Sequence, residues 1–174
     1  MHTIGKGGIS PSKQGAGEVT FPAFEIFSAS DRDDILQHLL ELGAFDRRLR
    51  FCSALSDASI VDYVSRLDFE RDLVLGYLER EDGKLIALVH MGALRTVGET
   101  ELGISVTNGR RGRGLGIRLT TEAFRLAAER GFHRVHVYYM DENLAMRAIV
   151  GHYSAPVHRD GGDNEVCIPL SLAA

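Results

Sequence analysis

The spacing of apolar residues switches along the chain between a helical repeat and a strict alternation, and those switches predict its elements. Residues 18–27 are rich in β-branched and aromatic types, and Pro22 confines them to a sheet edge or to a strand that begins after it. Ser30-Asp31-Arg32-Asp33 opens a helix with Ile35, Leu36, Leu39 and Leu40 on one face, ending near Gly43. A second helix, capped by Ser56 or Asp57, carries Ile60, Val61, Val64 and Leu67 at helical spacing. Residues 72–79 and 84–94 are strand-like runs joined by Glu81-Asp82-Gly83, a tight-turn signal. A third strand, 99–106, alternates Leu102, Ile104 and Val106 with Glu101, Gly103 and Ser105. It runs into a glycine-rich loop, and after the loop Leu115, Leu119, Ala123, Phe124 and Ala127 line a helix that Gly131 stops. Residues 134–140 alternate as a strand. Asn143–Val150 suit a short helix with Met146, Ile149 and Val150 apolar, and a final strand covers 165–172 after the Gly161-Gly162 turn.

The order is β-α-α-β-β-β-α-β-α-β, without an internal repeat or a linker wide enough for a second domain. Residues 18–174 are therefore expected to form one domain. Residues 1–17 contain five glycines and few large apolar side chains, so they are expected to be a flexible tail.

Composition narrows the function. A net charge of −4 with 25 % charged residues argues against a general nucleic-acid binder, so the basic cluster Arg110, Arg111, Arg113 and Arg118 points to one local anion site. Cys52 and Cys167 form no Cys-x-x-Cys pair and read as free thiols. Seven scattered histidines show no His-Glu-x-x-His arrangement, and no metal is assigned. The absence of a long apolar run or a signal-peptide core leads to the expectation of a cytoplasmic protein with no membrane partner.

The loop 107–117 has the layout of a pyrophosphate cradle, because glycines allow close backbone approach and the first amides of the following helix lack internal partners. A P-loop would need Lys and Ser/Thr after its last glycine, whereas Gly116 is followed by Ile117 and Arg118. A Gly-x-Gly-x-x-Gly dinucleotide motif fails in both frames, ending on Ile117 or Leu119. What remains, Arg111-x-x-Gly114-x-Gly116, resembles the Arg/Gln-x-x-Gly-x-Gly/Ala signature of the GCN5-related N-acetyltransferases, the GNAT family, and the element order resembles that family's over residues 20–172. Arg47–Ser53, with Asp68-Phe69 further on, is similar to a stretch of the bacterial Pat-type protein-lysine acetyltransferases.

The resemblance implies a mixed α+β fold: a central, mostly antiparallel, twisted sheet of six to seven strands flanked by about four helices. The sheet would splay between strands 99–106 and 134–140 to admit the pantetheine arm of acetyl-CoA. It also implies a cofactor site. Main-chain groups of Ile104, Ser105 and Val106 would pair with pantetheine, Arg111, Gly112, Arg113, Gly114, Leu115, Gly116 and Ile117 would hold the pyrophosphate, and Asn143 and Met146 would border the arm. Glu101 occupies the place of the family's general base, a role that partial burial of the carboxylate would favour; Glu99 lies on the same face, and the competing reading of either is an exposed strand carboxylate.

The sequence departs from the family at the general acid. Val150 stands where many members carry tyrosine, which leaves Tyr153 as the candidate, with Tyr138, Tyr139 and water as alternatives. The implied activity is acetyl transfer to a primary amine, on a protein lysine or a small molecule, directly within a ternary complex. A coenzyme-A-binding regulatory or sensor module with little catalysis is the alternative. Pairing of two copies through sheet edges is open to such a fold, though no residue argues for it.

Overall fold

The computed structural model describes residues 23–171; the expected tail at 1–17 lies outside them. A single seven-stranded sheet runs in the order β1-β2-β3-β4-β5-β7-β6. Its strands are β1 (Ala23–Ile26), β2 (Leu73–Leu78), β3 (Leu85–Ala93), β4 (Glu99–Val106), β5 (Arg134–Met140), β6 (Val157–Asp160) and β7 (Asp163–Pro169). Neighbours are antiparallel except β4 and β5, which are parallel. Five helices flank the sheet: α1 (Arg32–Leu40), α2 (Ala44–Phe51), α3 (Asp57–Ser65), α4 (Leu115–Glu129) and α5 (Leu144–Val150).

The alternation along each strand divides the interior into two cores. On one face Leu73, Leu75, Val89, Met91, Leu102, Val135 and Val137 pack under α4 and α5 through Leu119, Ala123, Phe124, Met146 and Ile149. On the other, Val74 and Leu88 pack under α1 and α3 through Ile35, Leu39, Ile60 and Val64. Both faces of the central strands are therefore covered. Along β4, accordingly, Gly103 and Ser105 are buried as well as Leu102.

The local signals account for most ends. Ser56, rather than Asp57, caps α3, its hydroxyl accepting from Ser59 N at 3.2 Å. Gly83 (φ +70) makes the β2–β3 turn and Gly131 (φ +90) follows α4, in a left-handed conformation that costs glycine nothing. Val61 is exposed rather than part of the core. Two elements were not expected. Helix α2 has eight residues, half of them charged and none fully buried, and Cys52 ends it at φ +50. Strand β6 is exposed at every residue, which removes the alternation that would mark it, and the last strand begins at Asp163 and closes a hairpin with β6 through Gly161-Gly162. Among the described residues no helix is long and apolar enough to cross a membrane.

Candidate active site

Strands β4 and β5 pair only over Glu99↔Arg134, Thr100↔Val135 and Glu101↔His136, and then diverge. The bonds to β3 fix which main-chain groups face the gap. Glu99 O accepts from Leu94 N at 2.9 Å and Thr107 N donates to Ile86 O at 2.9 Å, so odd-numbered residues of β4 turn their amides and carbonyls to β3. By alternation Leu102, Ile104 and Val106 direct theirs into the gap, where an extended ligand could pair with them as an added strand.

The strand ends on the loop. Gly112 (φ +72) and Gly114 (φ +76) adopt the left-handed conformation, and Gly114 is the N-cap of α4, with no side chain to occupy the first amides. The first main-chain bond of the helix is Arg118 N to Gly114 O at 3.1 Å, which leaves the amides of Leu115, Gly116 and Ile117 outside the helix ladder. Together with the helix dipole, these amides form an anion cradle. Arg111 is braced beside it, Nε donating to Val106 O at 3.0 Å and the fork pairing with Asp46 at 2.8 Å. Arg110 pairs with Glu79. Arg113 is exposed and, among the described residues, makes no ion pair or hydrogen bond.

Between gap and cradle lies a cleft of about 280 Å³. Of the residues named for the cofactor, Ile104, Ser105, Val106, Arg111, Gly112, Gly114, Leu115, Gly116, Ile117, Asn143 and Met146 line it; Arg113 does not. The cleft also takes Leu42, Asp46, Leu49 and Arg50 from the α1–α2 side, so it passes through the sheet rather than lying on one face. Asn143 fastens the two sides together: Oδ1 caps α5 by accepting from Met146 N at 3.0 Å, and Nδ2 donates to Leu49 O of α2 at 3.2 Å. The helix cap is therefore present, and the same side chain lines the cleft.

At and behind the wall of the cleft formed by Ser105 and Arg50 stand five residues whose placement was not legible in the sequence: His38, Arg50, Tyr63, His90 and Asp72. His38, on α1, is buried, with Nδ1 at 3.0 Å from Leu85 O and Nε2 at 2.9 Å from Ser105 Oγ. A carbonyl only accepts, so Nδ1 carries the hydrogen and Nε2 accepts from the Ser105 hydroxyl; burial lowers the ring's pKa and keeps it neutral. Arg50 lies over Gly103, where an added Cβ would stand 2.1 Å from the guanidinium carbon. Its NH2 donates to Tyr63 OH at 3.0 Å, Tyr63 OH lies 2.6 Å from His90 Nδ1, and His90 Nε2 lies 3.0 Å from Asp72. Burial alone would raise the Asp72 pKa, but the hydrogen bonds from His90 and Ala93 N outweigh it and hold the carboxyl low.

Glu101 stands at the last β4–β5 pair, exposed, without a hydrogen bond or ion pair among the described residues and outside the cleft lining. The partial burial that would favour a base role is absent. Glu99 is the enclosed carboxylate of the strand: the hydrogen bond from His136 at 2.9 Å, and secondarily Arg134 at 3.1 Å, hold its pKa low against the cost of burial. Tyr153 packs its ring on Phe124, centroids 4.9 Å apart, and is not brought to the cleft. Val150 is buried in the same core, and Tyr139 is buried as well. Tyr138 donates to Glu165 at 3.1 Å, and burial, then Glu165 and Glu101, push its pKa up.

Comparison with known proteins agrees with this geometry. Residues 35–150 match the family described as "Acetyltransferase (GNAT) family". No curated protein matches the chain. Among solved structures, the GNAT domain of S. lividans PAT is similar with a TM-score of 0.69 at 19 % identity, covering 84 % of this chain and 89 % of that one. A GNAT-superfamily phosphinothricin acetyltransferase from Sinorhizobium meliloti, in complex with AcCoA, gives 0.65 at 17 % identity over 87 % and 90 %. The PaiA N-acetyltransferase from Thermoplasma acidophilum, in complex with coenzyme A, gives 0.61 at 16 % identity over 84 % and 99 %.

Proposed function

Because the chain belongs to the acetyltransferase (GNAT) family, we propose that it carries the acetyl group of acetyl-CoA to a primary amine, on a protein lysine or a small molecule. The observation that carries the reading is one continuous cleft. It joins the stretch of β4 edge beyond the last pair with β5, at Ile104 and the Val106 amide, to the amide cradle at Leu115–Ile117. An extended pantetheine arm with amides suits the first, and a pyrophosphate suits the second. The bound AcCoA and coenzyme A of the S. meliloti and T. acidophilum proteins support the choice of ligand.

In this reading the thioester lies where the strands part, beside Gly103. The amine nitrogen attacks the thioester carbonyl carbon, the C–N bond forms and the C–S bond breaks. The amine's proton passes to Glu101, and since that carboxylate stands outside the cleft lining, a water relays it. The departing thiolate takes a proton from water entering the open end. The placement of Tyr153 on Phe124 and of Val150 in the core favours water over a tyrosine here.

Calorimetric titration with acetyl-CoA, followed by thiol release over a panel of amines and lysine peptides, tests the proposal. Saturable acetyl-CoA binding and amine-dependent thiol release are expected. Tight binding with no turnover on any acceptor would make the chain a coenzyme-A-binding module instead, and no binding would remove both readings.

A further inference from the structure

Arg50 is a cation without a counter-ion. It lines the cleft, yet among the described residues no carboxylate pairs with it. Its Nε is buried with no hydrogen-bond partner, although the neighbouring Asp46 is spent on Arg111. Nor is it a loose surface side chain. The guanidinium stacks on Phe51 and Tyr63, 4.7 and 5.8 Å from their ring centroids, and NH2 donates to Tyr63 OH. Since Tyr63 OH accepts from Arg50, its own hydrogen is directed at His90 Nδ1, and the His90 Nε2–H then donates to Asp72. The chain of bonds runs one way, from guanidinium to the half-buried Asp72 carboxylate, and fixes the orientation of the fork. Gly103 beneath it has no Cβ, which is what lets the fork lie against the strand.

The geometry points to Arg50 as a receptor for a substrate carboxylate at the acyl end of the cleft. This rests on the acetyl-transfer reading for the position of the thioester. The phosphates of the cofactor do not meet the need. They belong to the cradle beyond Val106, whereas Gly103 lies three residues earlier, about 10 Å back along the strand. A carboxylate near the thioester has two sources. It is carried by the acceptor, as in a free amino acid, or by the acyl group, as in a dicarboxylic acyl-CoA. Glu101 favours the first: it lies two residues before Gly103 on the same face of β4, about 7 Å away, so an amine turned to Glu101 leaves a neighbouring carboxylate to the Arg50 fork.

The test measures binding, so that it stands apart from turnover. The CoA-bound protein is titrated with free amino acids and their matched α-carboxamides, and the free protein with succinyl-CoA and acetyl-CoA. At least one carboxylate probe is expected to bind about tenfold or more tighter than its partner, and that preference is expected to fall below about threefold in Arg50→Gln. Preference among the amino acids puts the carboxylate on the acceptor; preference for succinyl-CoA puts it on the donor. Gly103→Ala, which displaces the fork without removing it, is expected to lose the same preference and serves if Arg50→Gln does not fold. Equal binding of every pair, or a preference that survives both variants, would overturn the inference. Discrimination without turnover would leave Arg50 its role and sink the transfer reading, while turnover without discrimination would do the reverse.

Discussion

Gly114 and Gly116 sit two residues apart in the same cradle, yet they are held there by different physics, and replacing each by alanine separates the two. At Gly114 a Cβ would meet nothing within 4 Å, but φ is +76. The cost of Gly114→Ala is therefore backbone strain, about 1–2 kcal/mol. If the strain is kept, a chain of this length should lose roughly 2–8 °C in melting temperature. If it is relieved by rotation, the amides of Leu115–Ile117 no longer converge, and one lost charge-assisted bond corresponds to about 10- to 150-fold in acetyl-CoA affinity. Gly116 has ordinary helical geometry, and its Cβ would stand 3.5 Å from Ile149, 3.7 Å from Ile104 and 3.9 Å from Val106, all normal contacts. Gly116→Ala should gain up to about 1 kcal/mol of helix propensity and change affinity by less than about threefold. Differential scanning fluorimetry and calorimetry on the two variants decide the matter. Equal damage from both, or Gly114→Ala binding acetyl-CoA like the wild type, would refute the assignment of these amides to the pyrophosphate.

Glu101→Gln is expected to lower kcat by about 100-fold or more while leaving acetyl-CoA affinity unchanged, as measured by thiol release beside calorimetry; full activity would remove Glu101 from proton transfer. Tyr153→Phe should retain activity within about twofold, because its ring packs on Phe124 and its hydroxyl is not brought to the cleft; a 100-fold loss would restore it as the acid. His38 predicts a pH effect with a definite sign. Its folded pKa lies below the ordinary 6.5, so the unfolded chain binds the proton first. Stability should be full above pH 6.5 and fall as pH drops below it toward the folded value. Melting curves between pH 8 and 5 should show that slope, and His38→Gln should flatten it; an unchanged slope would place the titration elsewhere.

The donor half of the site was legible because its chemistry lies in consecutive residues. Glycines required by positive φ at Gly112 and Gly114 and the alternation of β4 are local signals, and they survive without knowledge of the fold. The inner end was not, because Arg50, Tyr63, His90 and Asp72 come from α2, α3, β3 and the approach to β2 and meet only when the helices close over the sheet. Each had a plausible reading as a surface or packing residue. Helix α2 was missed for a related reason: it is short, half of its eight residues are charged and none is fully buried, so it reads as a solvated charged stretch, and Arg50 stands on it. His38 hid on the apolar face of α1, among Ile35 and Leu39.

The cleft that passes through the sheet, walled by α5 on one side and α2 on the other, has a consequence for traffic. Two molecules that reach a reaction point from opposite faces of a wall do not queue behind one another. Spent carrier can withdraw past the loop while the acylated product is still seated on the α2 side, and a fresh carrier can dock before that product departs. Inhibition by each product should then be directed at its own doorway: free coenzyme A competing with acetyl-CoA, and acetylated product competing with the amine.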